Sequence, residues 1–417
     1  MKFAPDRLLR TLAAGGLCVT LAAASGCADA RKKQVRAAAH PASSAHAASA
    51  PEAPGYAKRE DVARFADLVA ERHALDAAWI RSTLAAARYQ ATVARLIMPP
   101  PAGTAKNWAA YRARFVEPRR IGAGVAFWRA NARWLAQAES EYGVPAEIVA
   151  GIIGVETIYG QQMGSFRAID ALATLAFDFP AGRKDRSDFF RDELAQLFVM
   201  CRGAAPRGNS APPQVSSTPP AGGPDEARTR GPAARPACDP LDLRSSYAGA
   251  LGMPQFMPSS VNRYAIDFDG DGRIALHDSA ADVIGSVAHY LAEFGWQRGM
   301  PTHYAVAAPV DTVQRATLLV PDILPSFSAR QMIELGAELD AAGRDHEGLL
   351  ALVELQNGNA APSYVAGTAN FYAITRYNWS SYYALAVIEL GQAVKRRIEE
   401  AGGPPRPPPL GERPSDE

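Results

Sequence analysis

The stretch that decides the fold opens with Tyr142-Gly143-Val144-Pro145-Ala146-Glu147 and closes with Gly151-Ile152-Ile153-Gly154-Val155-Glu156-Thr157-Ile158-Tyr159-Gly160. The first six residues read as a helix start: Pro145 suits the first turn, and Glu147 complements the positive end of the helix dipole. From there Val149, Ile152 and Ile153 fall at i, i+3 and i+4. Glu156 takes i+7, so the spacing places a carboxyl group on the buried face. Thr157-Ile158-Tyr159-Gly160 then ends the helix. An acid at the end of an apolar stripe is costly unless its pKa rises or it is paired. A raised pKa is the property of a general acid working near neutral pH. A structural Glu satisfied by backbone donors would leave the same pattern.

Around this helix, 417 residues carry 44 Lys+Arg against 43 Asp+Glu, a formal charge of +1. Near-neutrality argues against a nucleic-acid binder, which usually shows a marked basic excess. At 48% hydrophobic the chain has the make-up of a globular protein of two or three domains, or one large lobed one. Its four cysteines, Cys18, Cys27, Cys201 and Cys238, are too few for a disulfide scaffold or a Cys-rich zinc protein. H-E-x-x-H, G-x-S-x-G and G-x-x-x-x-G-K-[ST] do not occur, and the seven His are scattered, so zinc-peptidase, serine-hydrolase and P-loop readings have no support.

The N-terminus reads as a leader over residues 1–26. Lys2, Arg7 and Arg10 precede an apolar stretch from Leu8 to Ala24 that is short for a spanning helix. Ala24-Ser25-Gly26-Cys27 resembles a bacterial lipobox with Cys27 as the lipidated residue, although Ala24 stands where Leu is usual; a plain secretory signal is the alternative. Ala28 after the Cys resembles lipoproteins sent to the outer membrane. Residues 27–58, rich in Ala, Ser, Pro and His, read as a flexible tether. Helical patterning begins at Glu60, with Val62, Phe65 and Val69 on one face.

Two later stretches lack the means to form a core. Residues 204–237 hold eight Pro and four Gly and read as a disordered insertion; residues 399–417 read as a Pro-rich disordered tail. Cys201 and Cys238 flank the insertion and in an oxidising compartment could pair across its base, adding about 3–4 kcal/mol; two free buried thiols are the alternative.

The segment Gly151–Gly160 closely resembles the catalytic segment of the membrane-bound lytic murein transglycosylase B family, which belongs to the goose-lysozyme-like enzymes that cleave peptidoglycan glycan strands. More motifs follow in the family's order: Ala171-Leu172-Ala173-Thr174-Leu175, then Tyr247-Ala248-Gly249-Ala250-Leu251-Gly252-Met253-Pro254-Gln255-Phe256-Met257-Pro258-Ser259-Ser260, then Asn370-Phe371-Tyr372-Ala373-Ile374-Thr375-Arg376-Tyr377-Asn378. The resemblance spans roughly residues 60 to 398. It implies a mainly α, lysozyme-like fold over residues 59–398, with a helical N-terminal lobe, a catalytic core and a small C-terminal lobe.

By resemblance Glu156 is the sole catalytic carboxylate. It protonates the oxygen between N-acetylmuramic acid and N-acetylglucosamine, then acts as base on the muramoyl C6 hydroxyl, leaving a 1,6-anhydro end without the usual second carboxylate. Asp170 reads better as a helix N-cap and Asp178 as a loop residue. Ser246 and Gln255 match positions that contact sugar and orient groups near the Glu. Tyr111, Tyr290, Asn370, Phe371, Tyr372 and Tyr377 match or neighbour the cleft, where Tyr supplies both an apolar face and a polar tip; core packing is the alternative for each Tyr. The stretch Ala181-Gly182-Arg183-Lys184-Asp185-Arg186 is longer than the family's basic segment and leaves open which cation meets substrate.

Asp267-Phe268-Asp269-Gly270-Asp271-Gly272-Arg273-Ile274 places carboxylates at positions 1, 3 and 5 of an EF-hand-like loop and Gly at 6, with the Arg273 carbonyl at 7. Position 12 is Asp278. The family resembles this site with a longer loop closed by an acid further on, a role that Asp282 fits. A structural Ca²⁺ is the implied ion, with no organic cofactor.

The resulting expectation is a periplasmic enzyme tethered to the outer membrane by Cys27, acting on peptidoglycan strands, with other cell-wall synthesis or hydrolysis enzymes as candidate partners. A hydrolytic muramidase and an inactive peptidoglycan-binding scaffold are the alternatives.

Overall fold

The computed structural model describes residues 55–99, 106–202 and 238–403. The expected leader, Cys27, the tether before Gly55, the insertion over 204–237 and the tail beyond Gly403 lie outside the described residues.

Helices dominate. The N-terminal lobe consists of α1 (Glu60–His73), α2 (Ala77–Ala85) and α3 (Ala91–Leu96). Four more follow: α4 (Trp108–Phe115), α5 (Pro118–Ala130), α6 (Ala132–Tyr142) and α7 (Ala146–Thr157). After the two-residue strand β1 (Phe166–Arg167) come α8 (Ala168–Phe177) and α9 (Ser187–Cys201). Beyond the insertion, β2 (Arg244–Ser245) pairs with β1, and α10 (Pro258–Tyr264) and α11 (Ala280–Glu293) follow.

Residues 303–367 then form a separate small lobe: β3 (His303–Ala307), α12 (Thr312–Leu319), β4 (Phe327–Ser328), α13 (Ala329–Glu334), β5 (Glu338–Leu339), α14 (Ala341–Arg344), β6 (Leu349–Asn357) and β7 (Ala360–Gly367). Its strands make one antiparallel sheet in the order β4-β6-β7-β3-β5. It has its own apolar cluster around Leu318, Met332, Leu350 and Leu352. The chain finally returns to the main body through α15 (Ala369–Tyr377) and α16 (Ser381–Glu400). The small lobe is thus present but is not C-terminal: it sits in sequence between α11 and α15, and the last helix belongs to the catalytic core.

Three boundaries also move. Tyr56 is 1% exposed and its ring lies 5.8 Å from Phe177, so packing starts before residue 59. At the other end α16 runs through Glu400, past the expected limit at 398. Asp170 is not an N-cap but lies inside the first turn of α8, 3% exposed. It accepts from the Arg88 amide (2.9 Å) and pairs with Arg167 (2.7 Å), tying α8 to the N-terminal lobe. Asp178, which follows α8, pairs with Arg59 at 2.7 Å.

At the centre stands α7, with ten of its twelve residues buried. The apolar stripe read from the sequence is therefore a helix enclosed on all sides. It is crossed closely by α16. A Cβ on Gly151 would collide with the Val387 carbonyl oxygen, and one on Gly391 with that of Glu147. Two helix backbones can approach this closely only where no side chain intervenes. The ion pair Lys395–Glu147 (2.9 Å) closes the same contact at its edge.

Candidate active site

Burial all round α7 means that its inner and outer faces do not distinguish Glu156; its position does. It lies in the last turn and, unlike its neighbours Val155 and Thr157, keeps partial access to solvent. The chain leaves the helix there by an abrupt route. Ile158, Tyr159 and Gly160 all have positive φ (51°, 55° and 87°). For a β-branched Ile this region is unusual, and each non-Gly residue in it costs about 1–3 kcal/mol. Thr157 helps to hold the turn, its hydroxyl accepting from the Gly160 amide (3.0 Å) and donating to the Met253 carbonyl (3.0 Å). The end of α7 is thereby joined to the loop Tyr247–Met257.

The carboxyl of Glu156 accepts a hydrogen bond from Tyr383 Oη at 2.7 Å. Tyr383 is 2% exposed, and burial beside Glu156 pushes its pKa well up, so it stays a neutral donor. Arg120, 9% exposed, donates to the carbonyls of Gly154 and Val155 and lies 5.1 Å over the Phe115 ring. Burial raises the Glu156 pKa from its ordinary 4.5 to about 7, against the lowering effects of the Tyr383 hydrogen bond and the Arg120 charge. Among the described residues these two act on its ionisation, and neither is a carboxylate. The structural alternative, a Glu neutralised by backbone donors, is not what surrounds it.

The predicted cleft residues divide. Tyr377 packs flat against Tyr383 (6.3 Å between centroids, 13°), and its hydroxyl donates to the Pro254 carbonyl at 2.5 Å. Tyr111 touches Tyr382 (5.8 Å) and Phe115 (5.0 Å), and Tyr372 keeps partial exposure. Gln255 has φ 52° and donates its amide to the Gly252 carbonyl (2.8 Å), fixing its own loop.

Others are structural. Ser246 is 7% exposed, and its hydroxyl accepts from the amides of Ala248 and Ala250. Tyr290, also 7% exposed, spends its hydroxyl on the Arg376 carbonyl (2.7 Å). Asn370 and Phe371 do not line the cleft: both are fully buried. The Asn370 side chain is consumed by the Gln297 amide and the Gln297 and Met300 carbonyls. Hydrophobic neighbours in sequence concealed this, since an Asn in a motif reads equally as ligand or as joint. Tyr383 and Arg120 were not singled out from sequence. An adjacent pair of Tyr before an apolar stretch of α16, and an Arg on an Arg-rich helix, carry no signal of what they will face.

In the basic stretch, Arg183 donates to the Ile97 carbonyl and Arg186 lies 4.4 Å over Phe189, whereas Lys184 stays exposed. Cys201 and Cys238 are joined by a disulfide with Cα atoms 5.0 Å apart.

In the acidic loop, carboxylate oxygens of Asp267, Asp269 and Asp282 come within 4.8 Å of one another. Backbone amides aim them: Asp267 accepts from Gly270 and Gly272 (2.8 Å each), and buried Asp282 from Phe268 (2.9 Å) and Ala275 (2.8 Å). Burial, with Asp269 and Asp267 nearby, raises the Asp282 pKa, a repulsion that a hard cation would relieve. Asp278, the expected position 12, lies outside this group, whereas Asp282 lies within it. Asp271 accepts from the Arg273 amide (2.8 Å), and its carboxylate is not among the three that converge.

Fold and site together define a mainly α, lysozyme-like body whose central helix ends on a partly accessible carboxylic acid raised to about 7. The sequence matches the family described as Transglycosylase SLT domain over residues 57–212 and 233–392. It is 36% identical over 347 residues, 81% of this chain and 84% of the relative, to membrane-bound lytic murein transglycosylase B of Escherichia coli strain K12. Among solved structures, soluble lytic transglycosylase SltB1 from Pseudomonas aeruginosa matches with a TM-score of 0.66 at 34% identity, covering 81% of this chain and 99% of that one. The Escherichia coli lytic transglycosylase Slt35 in complex with calcium matches with a TM-score of 0.65 at 33% identity, covering 83% and 96%. The chain belongs to the lytic transglycosylase family and is a peptidoglycan lytic transglycosylase, a carbon–oxygen lyase acting on a polysaccharide.

Proposed function

We propose that Glu156 carries both proton transfers of this reaction at the β-1,4 bond between N-acetylmuramic acid and N-acetylglucosamine. The observation that supports this is a single partly accessible carboxyl group, raised to about 7 and hydrogen-bonded by Tyr383. Protonated, it gives its proton to the glycosidic oxygen as the C1–O4 bond breaks. The resulting carboxylate faces the positive charge developing at C1, and Tyr383 and Arg120 steady it. It then takes the proton of the muramoyl C6 hydroxyl as the C1–O6 bond forms. No water is consumed, and Glu156 ends protonated for the next cycle.

Digestion of purified peptidoglycan followed by product mass tests the reading. Anhydromuramoyl ends that disappear in Glu156→Gln support it. Reducing ends alone would identify a hydrolytic muramidase, solubilisation unchanged in Glu156→Gln would sink the catalytic role of Glu156, and no solubilisation by the unmodified protein would leave only a binding scaffold.

The acidic loop fits a Ca²⁺ held by Asp267, Asp269 and Asp282, with Asp271 and the Arg273 carbonyl as further oxygens. The ion's role in this reading is to lock the loop between α10 and α11. Among the described residues no helix is long and apolar enough to cross a membrane. Attachment to the periplasmic face of the outer membrane through a lipidated Cys27 agrees with the leader motif and with the membrane-bound relative. Labelling with a fatty-acid analogue that survives Cys27→Ser would overturn it.

A further inference from the structure

Among the large apolar side chains left exposed in the described residues, all but one are aliphatic. The exception is Trp379, 44% exposed. It stands in the connection Asn378-Trp379-Ser380 between α15 and α16, two residues after Tyr377 and four before Tyr383. Those flanking rings stack on each other, and Tyr383 holds Glu156. With about 3.8 Å between successive Cα atoms, the Trp379 backbone lies within about 8 Å of that of Tyr377. The indole is thus carried on the short connection between two stacked rings, one of which holds Glu156.

It is also held firm. Asn378 beside it is 8% exposed, and the Ser380 amide bonds the Asn378 carbonyl at 2.6 Å. The indole meets Tyr372 edge-on at 6.0 Å and 83°. The Arg376 guanidinium lies 5.2 Å from the indole, 5.7 Å from Tyr372 and 5.4 Å from Phe294. Its contacts are to these three rings; none of the hydrogen bonds found among the described residues uses its N–H donors. A rigid, wet aromatic face next to a cation with unspent donors is a binding surface in form: pyranose faces present C–H groups to an indole, and a guanidinium fork matches a carboxylate.

We infer that Trp379 and Arg376 form a peripheral subsite that takes one sugar ring of the glycan strand face-on and a carboxylate of the peptide stem it bears. The inference rests on the glycan-cleaving reading above and adds the stem to the substrate. The test compares the unmodified enzyme, Trp379→Ala, Trp379→Phe and Arg376→Gln on glycan strands with stems and on strands stripped of them, resolving KM from kcat. Trp379→Ala raises KM roughly ten-fold on both substrates, equivalent to about 1.4 kcal/mol, with kcat nearly unchanged. Trp379→Phe retains most of the affinity, which shows that loss in the Ala variant is loss of the ring and not of the fold. Arg376→Gln raises KM on stem-bearing strands only. A Trp379→Ala enzyme with the unmodified KM on both substrates overturns the platform, and equal Arg376→Gln effects on both overturn the carboxylate contact. Failure of the underlying reading shows differently, as no Glu156-dependent product from the unmodified enzyme.

Discussion

Replacing Glu156 by Gln removes a titrating group from the end of α7 while keeping its shape, so its effect on stability follows pH in a defined direction. The folded protein holds this carboxyl at about 7 against an ordinary 4.5, chiefly because burial disfavours its charge. A raised folded pKa means that the native state binds the proton more tightly than the unfolded chain does. The contribution is fully present below about 4.5 and is lost as pH rises through 7, where the native state must ionise a buried group. Each tenfold in proton affinity is about 1.36 kcal/mol, so the full penalty at pH 8 and above exceeds about 3 kcal/mol. Partial solvent access reduces it, to between about 1 and 3 kcal/mol.

Gln carries no such penalty. The Glu156→Gln variant and the parent should melt together near pH 4.5 and separate progressively toward pH 8, with the variant the more stable. At about 2.1 cal/mol/K of unfolding entropy per residue, that difference is roughly 2–4 °C for a body of this size. Thermal melts followed by circular dichroism from pH 4.5 to 8.5 measure it. A melting difference that does not change with pH would refute burial as the cause of the raised pKa, and with it the account of why this carboxyl is an acid at neutral pH.

Tyr383→Phe removes the hydrogen bond that lowers the Glu156 pKa, so the loss of activity with rising pH should shift to higher pH; a kcat/KM profile with an unmoved alkaline limb would count against the contact. Gly391→Ala forces a methyl group onto the Glu147 carbonyl oxygen and should separate α16 from α7, costing about 3 kcal/mol or more by urea unfolding, whereas an ordinary Gly→Ala change in a helix stabilises by about 1 kcal/mol. Added Ca²⁺ should raise the melting temperature of the parent and leave Asp282→Asn unaffected, and indifference of the parent to both Ca²⁺ and chelator would remove the metal reading. Reduction of the Cys201–Cys238 disulfide, whose partners are 37 residues apart, should lower stability by up to about 4 kcal/mol in the same unfolding assay.

How much of this was legible in advance depended on whether the signal was local. Helix α7 follows from Pro145, Glu147 and the run of apolar residues, because helix starts and apolar content are properties of a few adjacent residues. The acidic loop is legible for the same reason up to Arg273, since its ligands are spaced along one turn. Its closing residue was not: Asp278 and Asp282 both lay in range, and only the packing of α11 brings Asp282 under the Phe268 and Ala275 amides. The small lobe escaped placement because three of its strands have five residues or fewer and its sheet pairs β3 with β7 and β5, contacts that join residues far apart in sequence.

The sequence by itself determined that a carboxyl group would end a nearly all-apolar helix, and that identity of residues at 151–160, 171–175 and 247–260 would mark the family. Tertiary structure alone decided what that carboxyl meets. Tyr383 stands 227 residues away, and Arg120 reaches it from another helix. Tyr383 arrives because glycines on α7 and α16 let two backbones nearly touch, bringing a buried hydroxyl to a partly accessible acid. A pKa near 7 depends on the balance of burial against those two partners, and no stretch of sequence contains all three.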